Sequence, residues 1–240
     1  MFKPAIISDF DGTITEQDSL TWLLNVHGPT DWEKYEDQYE QGKITGAEAL
    51  ENEISLLDID LIDAIALIRY QIKIRKGFPE FIKWCRSADI PFVIVSCNFK
   101  QFITPILEKY DLADVEVFSN ELEEVDGRLR ISGGKPKHPE CDICHNCKAL
   151  VVKQYKDQGY FTIYIGDGLT DRCAAWEADS VFAHSRLAEH LDLHKLENLP
   201  MDGFVSMQNY LDEIMNSDNP PESFYKMDKR DKKKNPFIKP

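Results

Sequence analysis

What this sequence of 240 residues has little of narrows its reading first. It contains no run of about 18 consecutive apolar residues, the minimum for a helix that spans a bilayer, so no membrane partner is expected. The opening stretch MFKPAII is cut off by Asp9 before a signal-peptide core can form, and the expectation is a cytoplasmic protein. Positive charge is also scarce: 28 Lys and Arg face 42 Asp and Glu, a net charge of −14. Nucleic acid demands a basic footprint, so it is excluded as the main partner. The scarcity is uneven. Residues 216–240 hold 7 Lys and Arg against 4 Asp and Glu, which puts +3 on this segment and −17 on the rest. Rich in Lys and without apolar periodicity, it is expected to be a solvated basic C-terminal extension. No internal repeat is present. The length suits one core domain with a smaller insert.

Three β-branched runs stand out against this background: PAIISDFD, PFVIVSCN and FTIYIGDG. Each ends in a small or polar cluster, and helical segments separate them. Near-continuous apolar strands of this kind belong to a parallel sheet covered on both faces, an α/β architecture. SVFAH at 180–184 and GFVSM at 203–207 read as further strands, and EEVDGRLRI as a hairpin turning at Asp-Gly. In an open α/β sheet, ligands bind beyond the carboxyl ends of the strands, where these polar clusters converge.

Between the first and second runs no strand signal occurs. TDWE and TGAE both read as capping boxes, with Thr30 and Thr45 as N-caps and Glu33 and Glu48 three residues on. Ala47, Leu50, Ile54 and Leu57 form one apolar stripe, and Leu61, Ile65, Ile68 and Ile72 another. Residues 16–75 are therefore expected as a small helical cap inserted after the first strand, with residues 1–15 and 76–215 forming the core domain.

The chemistry sits at the strand ends. Asp9 and Asp11 lie one residue apart at the mouth of the first run, an arrangement of like charges that is costly unless a cation or a transferred charge sits between them. VIVS puts Ser96 at the end of the second run, YIGDGLTD puts Asp167 and Asp171 at the end of the third, and CHNCK supplies Lys148. Carboxylates, a hydroxyl and a lysine at converging strand ends are the requirements of phosphoryl transfer through an aspartyl intermediate. One carboxylate attacks phosphorus, others hold Mg²⁺, and the lysine neutralises charge.

In that order, DFDGTIT, Ser96, Lys148 and GDGLTD resemble the four motifs of the haloacid dehalogenase (HAD) superfamily. The resemblance runs from Ala5 to about Ile214 and extends to the helical insert, which occupies the position of a C1-type cap on a Rossmannoid parallel sheet. Within the superfamily the chain looks most similar to the phosphoserine phosphatase-like branch. The segments GFPEFIKWCRSADIPFVIVS, PILEKYDLADVEVFSNEL and DSVFAHSRLAEH resemble its methionine-salvage members, which act on 2-hydroxy-3-keto-5-methylthiopentenyl 1-phosphate. The resemblance implies a Mg²⁺-dependent phosphomonoesterase acting on a small phosphorylated metabolite. Asp9 would be the nucleophile and a metal ligand, and Asp11 the acid and base, its carbonyl also on the metal. Ser96 and Lys148 would bind the phosphoryl group, while Asp167 would complete the metal shell with Asp171 in support. Cys97 and Asn98 stand where relatives often carry glycine beside the phosphate, which makes Cys97 a substrate-contact candidate. Asp18 matches the position of a substrate-binding acid, and it equally suits an N-cap.

One cluster lies outside these motifs. HPECDICHNCK places Cys141, Cys144 and Cys147 at intervals of three, with His138 and His145 beside them. A Cys₃His set suits structural Zn²⁺, although the usual second ligand pair is missing; inert reduced thiols and a redox switch are the other readings. Two further readings of the whole chain stay open: a phosphotransferase or mutase using the same aspartyl phosphate, and a zinc-binding interaction module on a retained scaffold.

Overall fold

A computed structural model describes residues 3–139 and 141–217. The basic extension expected over 216–240 lies almost wholly outside the described residues. Seven strands form one sheet: β1 (Pro4–Ser8), β2 (Phe92–Phe99), β3 (Glu116–Val125), β4 (Arg128–Gly134), β5 (Phe161–Gly166), β6 (Ser180–Ala183) and β7 (Leu199–Pro200). Their order is β4-β3-β2-β1-β5-β6-β7. All neighbours run parallel except β3 and β4, the hairpin, in which Asp126 and Gly127 both have positive φ as a tight two-residue turn requires. Alternate residues serve opposite faces: Ile6, Ile94, Ile163 and Ile165 join one apolar cluster, while Ala5, Ile7, Val93, Val95 and Tyr164 join the other. This two-sided burial is why the strands read as unbroken apolar runs. Chain order reverses at β1, which pairs with β2 on one side and β5 on the other, so the crevice opens beyond its carboxyl end.

Helices follow β1 without an intervening strand: α1 (Ser19–His27), α2 (Lys34–Glu40), α3 (Gly46–Ser55), α4 (Leu61–Gln71) and then α5 (Phe78–Ser87), which leads into β2. This is a helical insertion of the C1-cap kind. Its entry and exit are zipped together: Thr15 bridges Ile74, Glu16 N donates to Lys73 O (2.9 Å), and Arg75 N donates to Ile14 O (2.8 Å). Thr45 and Glu48 form the expected capping box on α3. The box expected at Thr30 does not form. Residues 30–33 make a turn, and α2 starts after Glu33 with no side-chain cap.

The remaining helices are α6 (Lys100–Glu108), α7 (Lys148–Asp157), α8 (Arg172–Glu177), α9 (Ser185–Leu193) and α10 (Phe204–Met215), with a short 3₁₀ turn at Leu169–Asp171. The strand expected at 203–207 is instead the start of α10. Phe204, Met207, Leu211 and Ile214 are buried at helical spacing, a period that a five-residue reading is too short to reveal. Phe204 anchors α10 by meeting Phe78 (4.9 Å between centroids) and Phe81 (5.4 Å), which in turn pack on Phe92 of β2. Phe204→Ala is expected to cost about 3–5 kcal/mol, read as a lower urea midpoint at unchanged slope.

Candidate active site

The turn after β1 is shaped by close approach. Asp9 N donates to Ile165 O of β5 (2.8 Å), which fixes the start of the turn against the neighbouring strand end. Gly12 has φ 76°, and a Cβ there would lie 2.5 Å from Asp167 Oδ2, so both conformation and space demand glycine. Arg75, at the exit of the insertion, donates to Gly12 O (2.7 Å), and Thr13 Oγ1 donates to Asp167 Oδ1 (2.6 Å). Through this turn the first and third strand ends are held together.

Lys148 opens α7, and its side chain is buried. Its Nζ donates to Asp9 Oδ1 and to Asp171 Oδ1, both at 2.6 Å. Burial works against its charge, but Asp171 and Asp9 outweigh this and hold its pKa well above the usual value. Asp171 is fully enclosed: Tyr164 also donates to its Oδ1 (2.6 Å), and the backbone N–H groups of Asp167 and Gly168 donate to its Oδ2 (3.0 Å each). Burial, Asp171 and Asp167 push the Asp9 carboxyl above its ordinary range against the pull of Lys148. For Asp167, burial and the Asp171 charge raise the pKa to about 6.

Asp11 occupies a separate niche. It accepts from Ser19 N (2.8 Å) and Ser19 Oγ (2.6 Å) at the start of the insertion, and from Asn98 Nδ2 (3.0 Å) near the end of β2. Burial, and then the Asp18 charge, raise it to about 7. Ser96 is buried at the end of β2, where its Oγ accepts from Asn98 N (3.0 Å). Asn98 and Ser19 are the residues that the sequence reading missed. The signal for Asn98 was its place directly after the second motif, where it stood out only as a departure from glycine.

Oxygens of Asp9, Asp167 and Asp171 lie within 4.8 Å of one another, which among the described residues is the one grouping suited to a metal ion. Asp171 already accepts four hydrogen bonds, whereas no donor among the described residues reaches Oδ2 of Asp9 or Asp167. An all-oxygen set of mutually repelling carboxylates fits a hard divalent cation. The zinc set does not assemble: His138, Cys141, Cys144, His145 and Cys147 make no such grouping. Cys144 turns to Cys97, His145 Nε2 lies 2.9 Å from Glu51 Oε1 of α3, and Cys147 caps α7.

A cavity of about 400 Å³ opens over these groups. Ser96, Cys97 and Lys148 line its floor; Leu20, Trp32, Ala49 and Leu50 of the insertion line the opposite wall. Asp18 also faces it, and its Oδ1 accepts from Thr21 N (2.7 Å) as the N-cap of α1. Among the described residues no helix is long and apolar enough to cross a membrane.

The haloacid dehalogenase-like hydrolase family model matches residues 6–175, and the chain belongs to this family. It is 32% identical over 88% of its length to a 2-hydroxy-3-keto-5-methylthiopentenyl-1-phosphate phosphatase of Brevibacillus brevis, covering 96% of that protein. A protein of the same name from Bacillus pumilus is 30% identical over 89% of this chain and 93% of its own. In fold it is similar to a phosphoserine phosphatase solved as a phospho-aspartyl intermediate analogue, with TM-score 0.66 and 21% identity over 88% of this chain and 99% of that one. Family and site together define a phosphatase of the HAD type acting on a small phosphate ester, and the acidic cluster suits the Mg²⁺ that the family implies.

Gly12→Ala is expected to shift Asp167 by about 1 Å and to lower kcat on the order of 10²-fold. Steady-state hydrolysis of p-nitrophenyl phosphate checks this, with circular dichroism confirming that the fold is kept.

Proposed function

We propose that the chain hydrolyses 2-hydroxy-3-keto-5-methylthiopentenyl 1-phosphate, or a close analogue, with Asp9 as nucleophile and Asp11 as acid and base. The observation that carries the chemistry is the contrast between the two carboxylates. Asp9 is held by Lys148, while Asp11, two residues on, is kept near neutrality by burial. Two acids with environments that differ in this way take different roles. An Asp9 oxygen attacks phosphorus, the bond from phosphorus to the ester oxygen breaks, and the proton on Asp11 passes to the leaving oxygen. Asp11 then accepts a proton from the attacking water, whose oxygen displaces Asp9 and releases phosphate. Ser96 hydrogen-bonds a phosphoryl oxygen, and Lys148 keeps Asp9 in place as charge moves to the phosphoryl group. Asp9 and Asp167 would hold Mg²⁺, with the carbonyl of Asp11 as a further ligand and Asp171 positioning Lys148; bound there, the ion supplies charge neutralisation for the phosphoryl group.

Residues 16–75 act as the cap in this reading, over a core of 1–15 and 76–215, and the zipped connection at 14–16 and 73–75 supports that division. The cap wall favours an apolar tail over a charged one. Leu20, Trp32 and Leu50 offer apolar surface, and the charged groups that α2 and α3 add to the cavity are acids: Glu36, Glu40 and Glu53. Phosphoserine carries a carboxylate, for which α2 and α3 add no cation to the cavity. Glu53 is raised to about 8 by burial and by the charges of Glu36 and Asp18, so at neutral pH it is a hydrogen-bond donor suited to a keto or hydroxyl oxygen. The names of the relatives supply the particular substrate.

Hydrolysis rates across a panel containing this ester, phosphoserine and p-nitrophenyl phosphate test the reading. The thioether ester is expected to have the highest kcat/KM, and a preference for phosphoserine overturns the assignment. Asp9→Asn is expected to lower kcat below a few per cent of wild type, since an amide does not attack phosphorus. Chelation by EDTA is expected to abolish turnover, and added Mg²⁺ to restore it.

A further inference from the structure

We infer that Cys97 and Cys144 form an oxidisable thiol pair at the catalytic cavity, a modification site through which a peroxide switches hydrolysis off. The two residues come from different elements. Cys97 follows Ser96 near the end of β2, and Cys144 lies in the segment that joins β4 to α7. Both line the cavity and both are half-buried, so a small oxidant that enters the cavity meets them. Within that cavity the two side chains interact, the Cys144 thiol favouring negative charge on the Cys97 sulfur.

The backbone holds this pairing from both sides. Asn146 Nδ2 donates to Ser96 O (2.9 Å), Cys147 N donates to Pro136 O (2.7 Å), and Asn120 Nδ2 donates to Cys97 O. The Cys144 segment is thus fastened to the strand end that carries Cys97. The electrostatics divide the roles: the neighbouring Cys144 and then Lys148 favour the Cys97 thiolate and lower it to about 7, while Cys144 is raised. That is the arrangement of an attacking thiolate beside a resolving thiol.

The chemistry balances with hydrogen peroxide as the oxidant. The Cys97 thiolate attacks one peroxide oxygen, the O–O bond breaks, and hydroxide leaves and is protonated to water; Cys97 becomes a sulfenic acid. The Cys144 sulfur then attacks the Cys97 sulfur as its proton is lost, the S–O bond breaks, and a second water leaves. Two thiols have lost two electrons to one peroxide. Both cysteines are free, and a disulfide holds its sulfurs at about 2.05 Å, closer than unbonded sulfurs approach, so closure draws the segment and the strand end together. Ser96 adjoins Cys97, and Lys148 lies four residues after Cys144. A displacement of about 1 Å at such groups is enough to lower turnover on the order of 10²-fold.

The test treats the full-length protein with hydrogen peroxide, alkylates it, and maps disulfides by peptide mass spectrometry before and after dithiothreitol. The expected result is a Cys97–Cys144 linked peptide that grows in step with the loss of p-nitrophenyl phosphate hydrolysis, both reversed by dithiothreitol. In Cys144→Ser, scaled to its own untreated rate, no linkage forms, and a sulfenic-acid probe such as dimedone labels Cys97. Linkage of Cys144 to Cys147 or Cys173 instead, no linkage at all, or full linkage with undiminished turnover each overturns the proposal. The mapping on wild-type protein decides the pairing even if the variant fails to fold.

Discussion

The site depends on one buried ammonium group. Lys148 reaches from the start of α7 between Asp9 and Asp171, and removing either partner of such a buried contact costs about 3–5 kcal/mol because it strands a charge. Asp9, Asp167 and Asp171 set three carboxyl groups against this one lysine. Burial and the Asp171 charge drive the Asp9 and Asp167 carboxyls upward, and a divalent cation held between them would relieve that repulsion. The fit of this cluster to a divalent cation therefore rests on charge as well as on ligand geometry.

That constraint radiates outward. Asp171 can hold Lys148 only because Tyr164 and two backbone N–H groups fix its own carboxylate, and Tyr164 is itself buried among the β5-side core. Asp167 is positioned by Thr13, and the two approach only because Gly12 has no side chain. Packing in the sheet thus sets distances in the site, since no member of the chain from Tyr164 to Asp9 can move without leaving a buried polar group unpaired.

Most of the sheet and most of the site were legible in the sequence for the same reason. Parallel strands buried on both faces show as apolar runs, and their ends carry Asp9, Ser96 and Asp167 within a few residues of each run. What was not legible depends on contacts between distant segments. Asn98 and Ser19 are 79 residues apart, and only folding shows that both bind Asp11. The cysteine spacing suggested zinc because spacing says nothing of direction; in the fold, Cys144 faces Cys97 and His145 faces Glu51. At Thr30 the local capping pattern lost to a turn, and at Phe204 five residues were too few to separate a strand from the first turn of a helix.

The helical insertion reaches Asp11 as well as lining one wall of the cavity. Ser19 begins α1, and its N–H and hydroxyl are two of the donors on Asp11, so the insertion is coupled to that carboxyl through a single residue. On the far side, Arg186 of α9 pairs with Glu36 and Glu40 of α2, a link between core and cap across the cavity mouth. Such exposed pairs are weak, worth up to about 1 kcal/mol each, whereas the Asp11 niche is buried and its three hydrogen bonds are short. A cap held firmly at its root and loosely at its rim can admit a substrate at the rim while the root keeps Asp11 in one environment.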